Sequence, residues 1–212
     1  MKKNLNIIAI ALVLLAGSLM SCQDDYYFDG GLSDGKLNVS TYDFLVEKQR
    51  YFDTLLWVID ENNLKDLVNA ENSTFFAPQN GAFKLFIDKL ELDPVPKSLE
   101  ELPASVKDTL GLLLKKYMIS EEVMRVDIPE KGKIETTNAN GEPVSVFFAN
   151  SPRGGIPGYG PKSVVYSATV QVPNINTGIL EEQERFSVMS TTDLESTNGV
   201  VHIVSVSYTF GF

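Results

Sequence analysis

A chain of 212 residues that is 43% apolar and 22% charged has the composition of a globular protein, which excludes an intrinsically disordered one. Its formal charge of −10, with no cluster of Lys and Arg beyond the first residues, argues against a nucleic-acid partner and against docking on an anionic lipid surface. With one cysteine and one histidine, disulfide staples and multi-histidine metal sites are excluded within one chain.

In chain order, Lys2 and Lys3 precede an apolar run from Ile7 to Leu15 that is broken by Gly17 and Ser18. The run is shorter than the roughly 20 residues a spanning helix needs, so residues 1–21 are expected to be a signal peptide that is cut away. Leu19-Met20-Ser21-Cys22 resembles the lipobox of bacterial lipoproteins, which makes Cys22 the first mature residue and the lipidation site. Several acyl chains, at about 0.8 kcal/mol per buried methylene, would tether the domain to a membrane without embedding it. Loss of residues 1–21, which carry two lysines and no acid, takes the charge from −10 to −12 and leaves 191 residues, a size that suits one domain.

Residues 22–37 are acidic and glycine-containing and lack a helical or strand period, so they read as a tether. Gln23, Asp24 and Asp25 resemble the surface-export signal of Bacteroides-type lipoproteins, which implies the outer face of the outer membrane; a periplasm-facing tether is the alternative.

A single domain is expected over residues 38–212. Phe52, Leu55, Leu56 and Ile59 fall at i, i+3, i+4 and i+7, and so do Phe83, Phe86, Ile87 and Leu90, and again Leu110, Leu113, Leu114 and Tyr117. Each set is the buried stripe of a helix. Asn80 is placed to cap the second helix. The second half is β-branched and aromatic, with strands expected at Val144–Phe148, Ser163–Val172, Phe186–Met189 and Gly199–Phe210. In the last strand Val200, His202, Val204, Val206 and Tyr208 would share one face. Helices followed by strands give an α+β domain.

Three blocks then carry a resemblance. Ser73-Thr74-Phe75-Phe76-Ala77-Pro78-Gln79-Asn80-Gly81-Ala82-Phe83 resembles the first signature of fasciclin-like (FAS1) domains, and Thr197-Asn198-Gly199-Val200-Val201-His202-Ile203-Val204 resembles the last. Leu112 to Tyr117 sits where that family has its Tyr-His helix end, although Met118 stands in place of the histidine and Ser205 in place of a common Asp. The resemblance implies a FAS1-like fold, with helices flanking a wedge-shaped β-sandwich, in a lipoprotein of the Bacteroides type. It marks Thr74, Phe76, Ala77, Pro78, Asn80, Phe83, Asn198, Gly199 and His202 as framework positions. In physical terms Pro78 ends a strand, Asn80 caps a helix, and Asn198-Gly199 supplies the positive φ of a tight turn.

Candidate chemistry is sparse. His202 lies on the apolar face of its strand, where a structural role is the expectation and a Ser-His-Asp triad is not. The acidic groups Glu121-Glu122 and Glu181-Glu182 with Glu184 could serve a hydrolase, but adjacent acids at turns are ordinarily a solvated surface. No calcium-loop spacing occurs, and neither metal nor cofactor is assigned. The loop Ser151–Pro161 leads into a strand and not a helix, so its glycines do not make a phosphate cradle; Arg153, Tyr159 and Lys162 make it a candidate binding loop. Tyr117, Met118 and Ile119 are a candidate apolar patch for a protein partner. Asp53-Thr54-Leu55 and Asp108-Thr109-Leu110 resemble O-glycosylation sequons of Bacteroides-type exported proteins. Function is therefore expected to be binding or adhesion at the cell envelope, with a protein or glycan as partner and no catalysis. The alternative is an accessory glycan-binding lipoprotein of a saccharide uptake system, for which Tyr159 is the aromatic candidate while Trp57 packs in its helix.

Overall fold

The computed structural model describes residues 35–150, 162–173, 180–208 and 210–211. The signal peptide, Cys22 to Asp25 and the rest of the tether up to residue 34 lie outside the described residues, as do Arg153 and Tyr159.

The helices are α1 (Thr41–Glu47), α2 (Gln49–Glu61), α3 (Lys65–Val68), α4 (Asn80–Asp88) and α5 (Ala104–Lys115). The strands are β1 (Ser73–Ala77), β2 (Met118–Ile119), β3 (Lys133–Thr137), β4 (Pro143–Asn150), β5 (Lys162–Pro173), β6 (Leu180–Glu195) and β7 (Gly199–Val204). They form one mixed seven-stranded sheet in the order β2-β1-β7-β6-β5-β4-β3. Only β1 and β7 run parallel; every other neighbouring pair is antiparallel.

Strand β6 joins the two halves. Its first part pairs with β5 as far as Val188, and its last part pairs with β7 from Met189 to Glu195 through two register shifts. Such bulges bend and twist a strand. The bend turns one half of the sheet toward the other, and a bridge between Ile119 and Asn138 nearly closes the sheet on itself.

The three expected stripes are helical and face inward except at their ends: Leu90 lies past α4 and is exposed, and Tyr117 lies past α5, although it is buried. Leu55, Ile59, Phe83, Leu110 and Leu114 are wholly buried, and they pack with Phe76, Tyr117, Val146, Tyr166 and Val201 in one core. The expected helix at Phe52 carries a kink at that residue, with φ −131° and ψ 15°. An unbroken helix would pair the Thr54 N–H with the Arg50 carbonyl. Instead, the Asn80 carboxamide enters the gap: Oδ1 accepts from Thr54 N at 3.2 Å, and Nδ2 donates to Arg50 O at 3.3 Å. Asn80 is therefore not the cap of its own helix. Gln79 is the N-cap, without a side-chain bond to the helix, and its amide donates to Val204 O at 3.0 Å.

Two strands differ in length from expectation. β6 runs for 16 residues where four were expected, because Glu182 to Glu184 and Ser190 to Asp193 are polar on both faces and hide the period. β7 ends at Val204, and the chain then turns, with Tyr208 N donating to Ser205 O at 3.2 Å. The turn returns Phe210 to the core, where it packs on Phe83 at 4.2 Å and on Tyr117 at 5.5 Å.

The Asn198-Gly199 pair also works differently from the turn expected of it, since neither residue has a positive φ. Gly199 is required by proximity: a Cβ there would lie 2.2 Å from the Ser73 carbonyl oxygen, at the start of the parallel β1–β7 pairing. Backbone cannot yield as a side chain can. Gly199→Ala is expected to destabilise the fold by about 3 kcal/mol, read as a lowered urea midpoint. Asn80→Ala, at a part-exposed site, is expected to lose about 1 kcal/mol by the same measurement.

Candidate functional site

The framework residues converge on the junction of β1, β7 and the turns beside them. Thr74 is fully buried, and its Oγ1 donates to Glu121 O at 2.7 Å while accepting from Val123 N at 2.8 Å. This hydroxyl secures the segment that follows β2. Phe76, also fully buried, stacks on Tyr166 at 4.2 Å and on His202 at 5.4 Å. Ala77 and Pro78 are buried where β1 ends, and Phe83 is buried one turn into α4.

Asn198 ties three segments together. Its Oδ1 accepts from Thr41 N at 2.8 Å, at the start of α1, and its Nδ2 donates to the carbonyl of Ala70 at 3.3 Å. Ser196 and Gly199 complete the turn, with Gly199 N donating to Ser196 Oγ at 3.1 Å.

His202 is wholly buried. Its Nε2 lies 2.7 Å from the Val123 carbonyl and therefore carries the proton; Nδ1 accepts from the Asp193 N–H at 3.2 Å. Asp193 sits at one of the β6 irregularities with φ 60°. The imidazole thus pins a bulge of β6 to the segment after β2. Burial holds its pKa below the usual histidine value, against the opposing pull of the Val123 carbonyl and the Asp193 carboxylate. Both ring nitrogens are committed, so no lone pair is left for a nucleophile or a metal.

The expected apolar patch is not at the surface. Tyr117, Met118 and Ile119 are buried; the last two form β2 and pair with Phe75 and Thr74 on β1. The Tyr117 hydroxyl accepts from Gly211 N at 3.1 Å, and its carbonyl accepts from Phe76 N at 2.9 Å. An edge strand of two residues needs its side chains inside, and Met118, where the resemblance places a histidine, is core. Tyr166, whose ring lies 6.2 Å from that of Tyr117 and whose pKa burial pushes upward, donates to the Lys116 carbonyl.

The remaining candidates are scattered. Lys162 opens β5, pairs with Glu130 and sits 5.7 Å from the Phe148 ring, which Arg125 also approaches at 5.4 Å. Trp57 is half-buried under Lys107 at 5.5 Å. Glu121 is tied to the Thr136 hydroxyl, and Glu184 accepts from Ser167 Oγ at 2.9 Å. Of the two sequons, Leu55 and Leu110 are buried, Thr54 is half-buried and Thr109 is exposed.

The Fasciclin domain family model matches residues 50–206 of this chain. Fourteen chains of solved structures match as well. One of these structures is a FAS1 domain pair from the insect cell adhesion molecule Fasciclin I, at 16% sequence identity and a TM-score of 0.49. That match covers 81% of this chain and 50% of the other, so the chain spans about half the length of the insect pair. Comparison with curated proteins returned no match.

A buried neutral histidine has a signature in pH. In the unfolded chain the group takes up a proton near pH 6.5, whereas the folded protein resists it. Stability is then full above about 6.5 and falls as pH drops through that value, by up to about 1.4 kcal/mol per pH unit. Urea midpoints between pH 8 and pH 5 should show this slope, and His202→Gln should flatten it.

Proposed function

Since this chain belongs to the fasciclin domain family, we propose that it is a non-catalytic binding module, lipid-anchored through Cys22 and displayed at the outer membrane. The observation that carries the non-catalytic part is His202. The only imidazole of the chain is buried with both nitrogens hydrogen-bonded to backbone, and the other polar framework residues, Thr74, Asn80 and Asn198, likewise spend their groups on backbone partners. Recognition then falls to the exposed surface, and a protein or glycan of the cell envelope is the partner class.

The anchor rests on the sequence before the domain: a charged start, a short apolar run and the Leu-Met-Ser-Cys22 block. No helix among the described residues is long and apolar enough to cross a membrane. Surface display rests on Gln23, Asp24 and Asp25 directly after the cysteine.

Cells fed a labelled fatty acid should label the wild-type chain and not Cys22→Ala, and the variant should leave the membrane fraction. Protease added to intact cells should remove the wild-type domain, while Asp24→Ala/Asp25→Ala should protect it. Unlabelled wild type would overturn the anchor; protected wild type would overturn surface display and leave a periplasm-facing domain.

A further inference from the structure

The β3-β4-β5-β6 half of the sheet turns one face to the core and the other outward, and the registers fix which residues share the outer face. Glu135 on β3 lies opposite Ser145 on β4, Ser145 opposite Ser167 on β5, and Ser167 opposite Phe186 on β6. Directly opposed side chains are neighbours across a sheet. One adjacent row holds Lys133 and Phe147; the other holds Pro143, Thr169 and Glu184.

Of these, Lys133, Glu135, Ser145, Ser167, Thr169 and Glu184 line a depression of about 230 Å³, and Phe147 and Phe186 lie beside it in the same rows without lining it. Ser167 forms part of its floor, 1% exposed, and donates to Glu184. Beside it Ser145 is 8% exposed, lines the same depression, and makes no side-chain hydrogen bond to any described residue. No buried side-chain nitrogen or oxygen among the described residues lacks a partner, so the Ser145 hydroxyl is the part of this residue that opens to the depression. Phe186, 46% exposed at the end of the row, is held edge-on against Phe147 with ring centroids 6.1 Å apart.

Charge and spacing select the ligand. Glu135 is paired with Lys133 at 3.0 Å, and Glu184 adds a second acid, so the depression has no surplus of cations to hold an anion. The two carboxylates stand three strands apart, about 14 Å at the usual strand spacing, and cannot share a metal ion. Hydroxyls and carboxylates on the floor and rim exclude a purely apolar guest. What fits is a neutral polyhydroxylated ring: Ser145, Glu135 and Glu184 offer partners for its hydroxyls, and Phe186, opposite Ser167 on the next strand, offers an exposed ring at the margin for a C–H face. The volume is below the roughly 300–1,000 Å³ of enclosed small-molecule sites, which suits one sugar unit with the rest of the chain in solvent.

We propose that the outer face of β3–β6, centred on Ser145 and bounded by Glu135, Glu184 and Phe186, is a saccharide-binding site that takes one neutral ring of a glycan. The site belongs to the folded domain and stands apart from the question of the lipid anchor.

The test uses the chain from residue 22 onward with Cys22→Ser, on an array of neutral, acidic and N-acetylated oligosaccharides immobilised through their reducing ends. The expected result is retention on at least one neutral class, competed by the same free sugar. Ser145→Ala should weaken that binding about tenfold while leaving the melting temperature unchanged or raised, because the hydroxyl has no partner to lose in the free protein. Phe186→Ala should weaken it further, and Lys84→Ala, in an exposed ion pair on α4, should not change it. If Ser145→Ala perturbs folding, Glu135→Gln takes its place. No retention on any neutral sugar, retention on acidic sugars alone, or retention unchanged by Ser145→Ala and Phe186→Ala would each overturn the proposal.

Discussion

The parallel contact between β1 and β7 is the constraint on which the rest of this domain depends. Residues 73–77 pair with residues 199–203, so the first and last of the described strands lie side by side in the interior of the sheet. At the base of this contact the Gly199 backbone approaches the Ser73 carbonyl too closely for any side chain. Next to it the Asn198 carboxamide holds the start of α1 and the turn before β1. Helices α1 to α3 and the sheet are thereby fixed to a single point, and the apolar core fills the space that this geometry leaves.

The polar framework residues obey one rule: each satisfies a backbone group that local structure has left open. Asn80 bridges a missing helical bond in α2, Thr74 anchors the segment after β2, and His202 holds the bulge at Asp193. An unmade buried hydrogen bond costs more than a made one contributes. Such residues are therefore identified by the irregularities they repair, and the signature residues Asn80, Asn198, Thr74 and His202 describe a scaffold.

Much of the fold was legible in the sequence, and the failures have physical causes. The three helical stripes were readable because apolar residues repeat at 3.6 on helices that bury one side. β6 was mostly hidden because its outer stretches face solvent on both sides, so no alternation marks them. The end of β7 was misplaced because Val206 and Tyr208 continue the alternation past Val204, where the backbone already turns. Asn80 stands where a cap is expected, but capping is a local rule, and the gap it fills lies 26 residues away in sequence. The patch at Tyr117 to Ile119 failed likewise, since burial of a two-residue strand depends on β1 and Phe210, neither of which is adjacent in the chain. The row from Glu135 to Phe186 could not be found in one dimension at all, because it exists only through the registers of four strands.

The placement of β7 bears on how the chain reaches its folded state. β7 is the last of the described strands in sequence, yet it lies between β1 and β6, in the interior of the sheet order. A polypeptide that emerges amino end first, from a ribosome or through a translocation pore, cannot join the two halves of this sheet until residue 204 has appeared. Before then β1 and the end of β6 both present open edges, a state exposed to misassociation. Contacts so distant in sequence also carry a large loop-closure cost and slow the final assembly. Vectorial emergence therefore leaves the two halves of this sheet unjoined until β7 is available, and closure of the sheet is a late event.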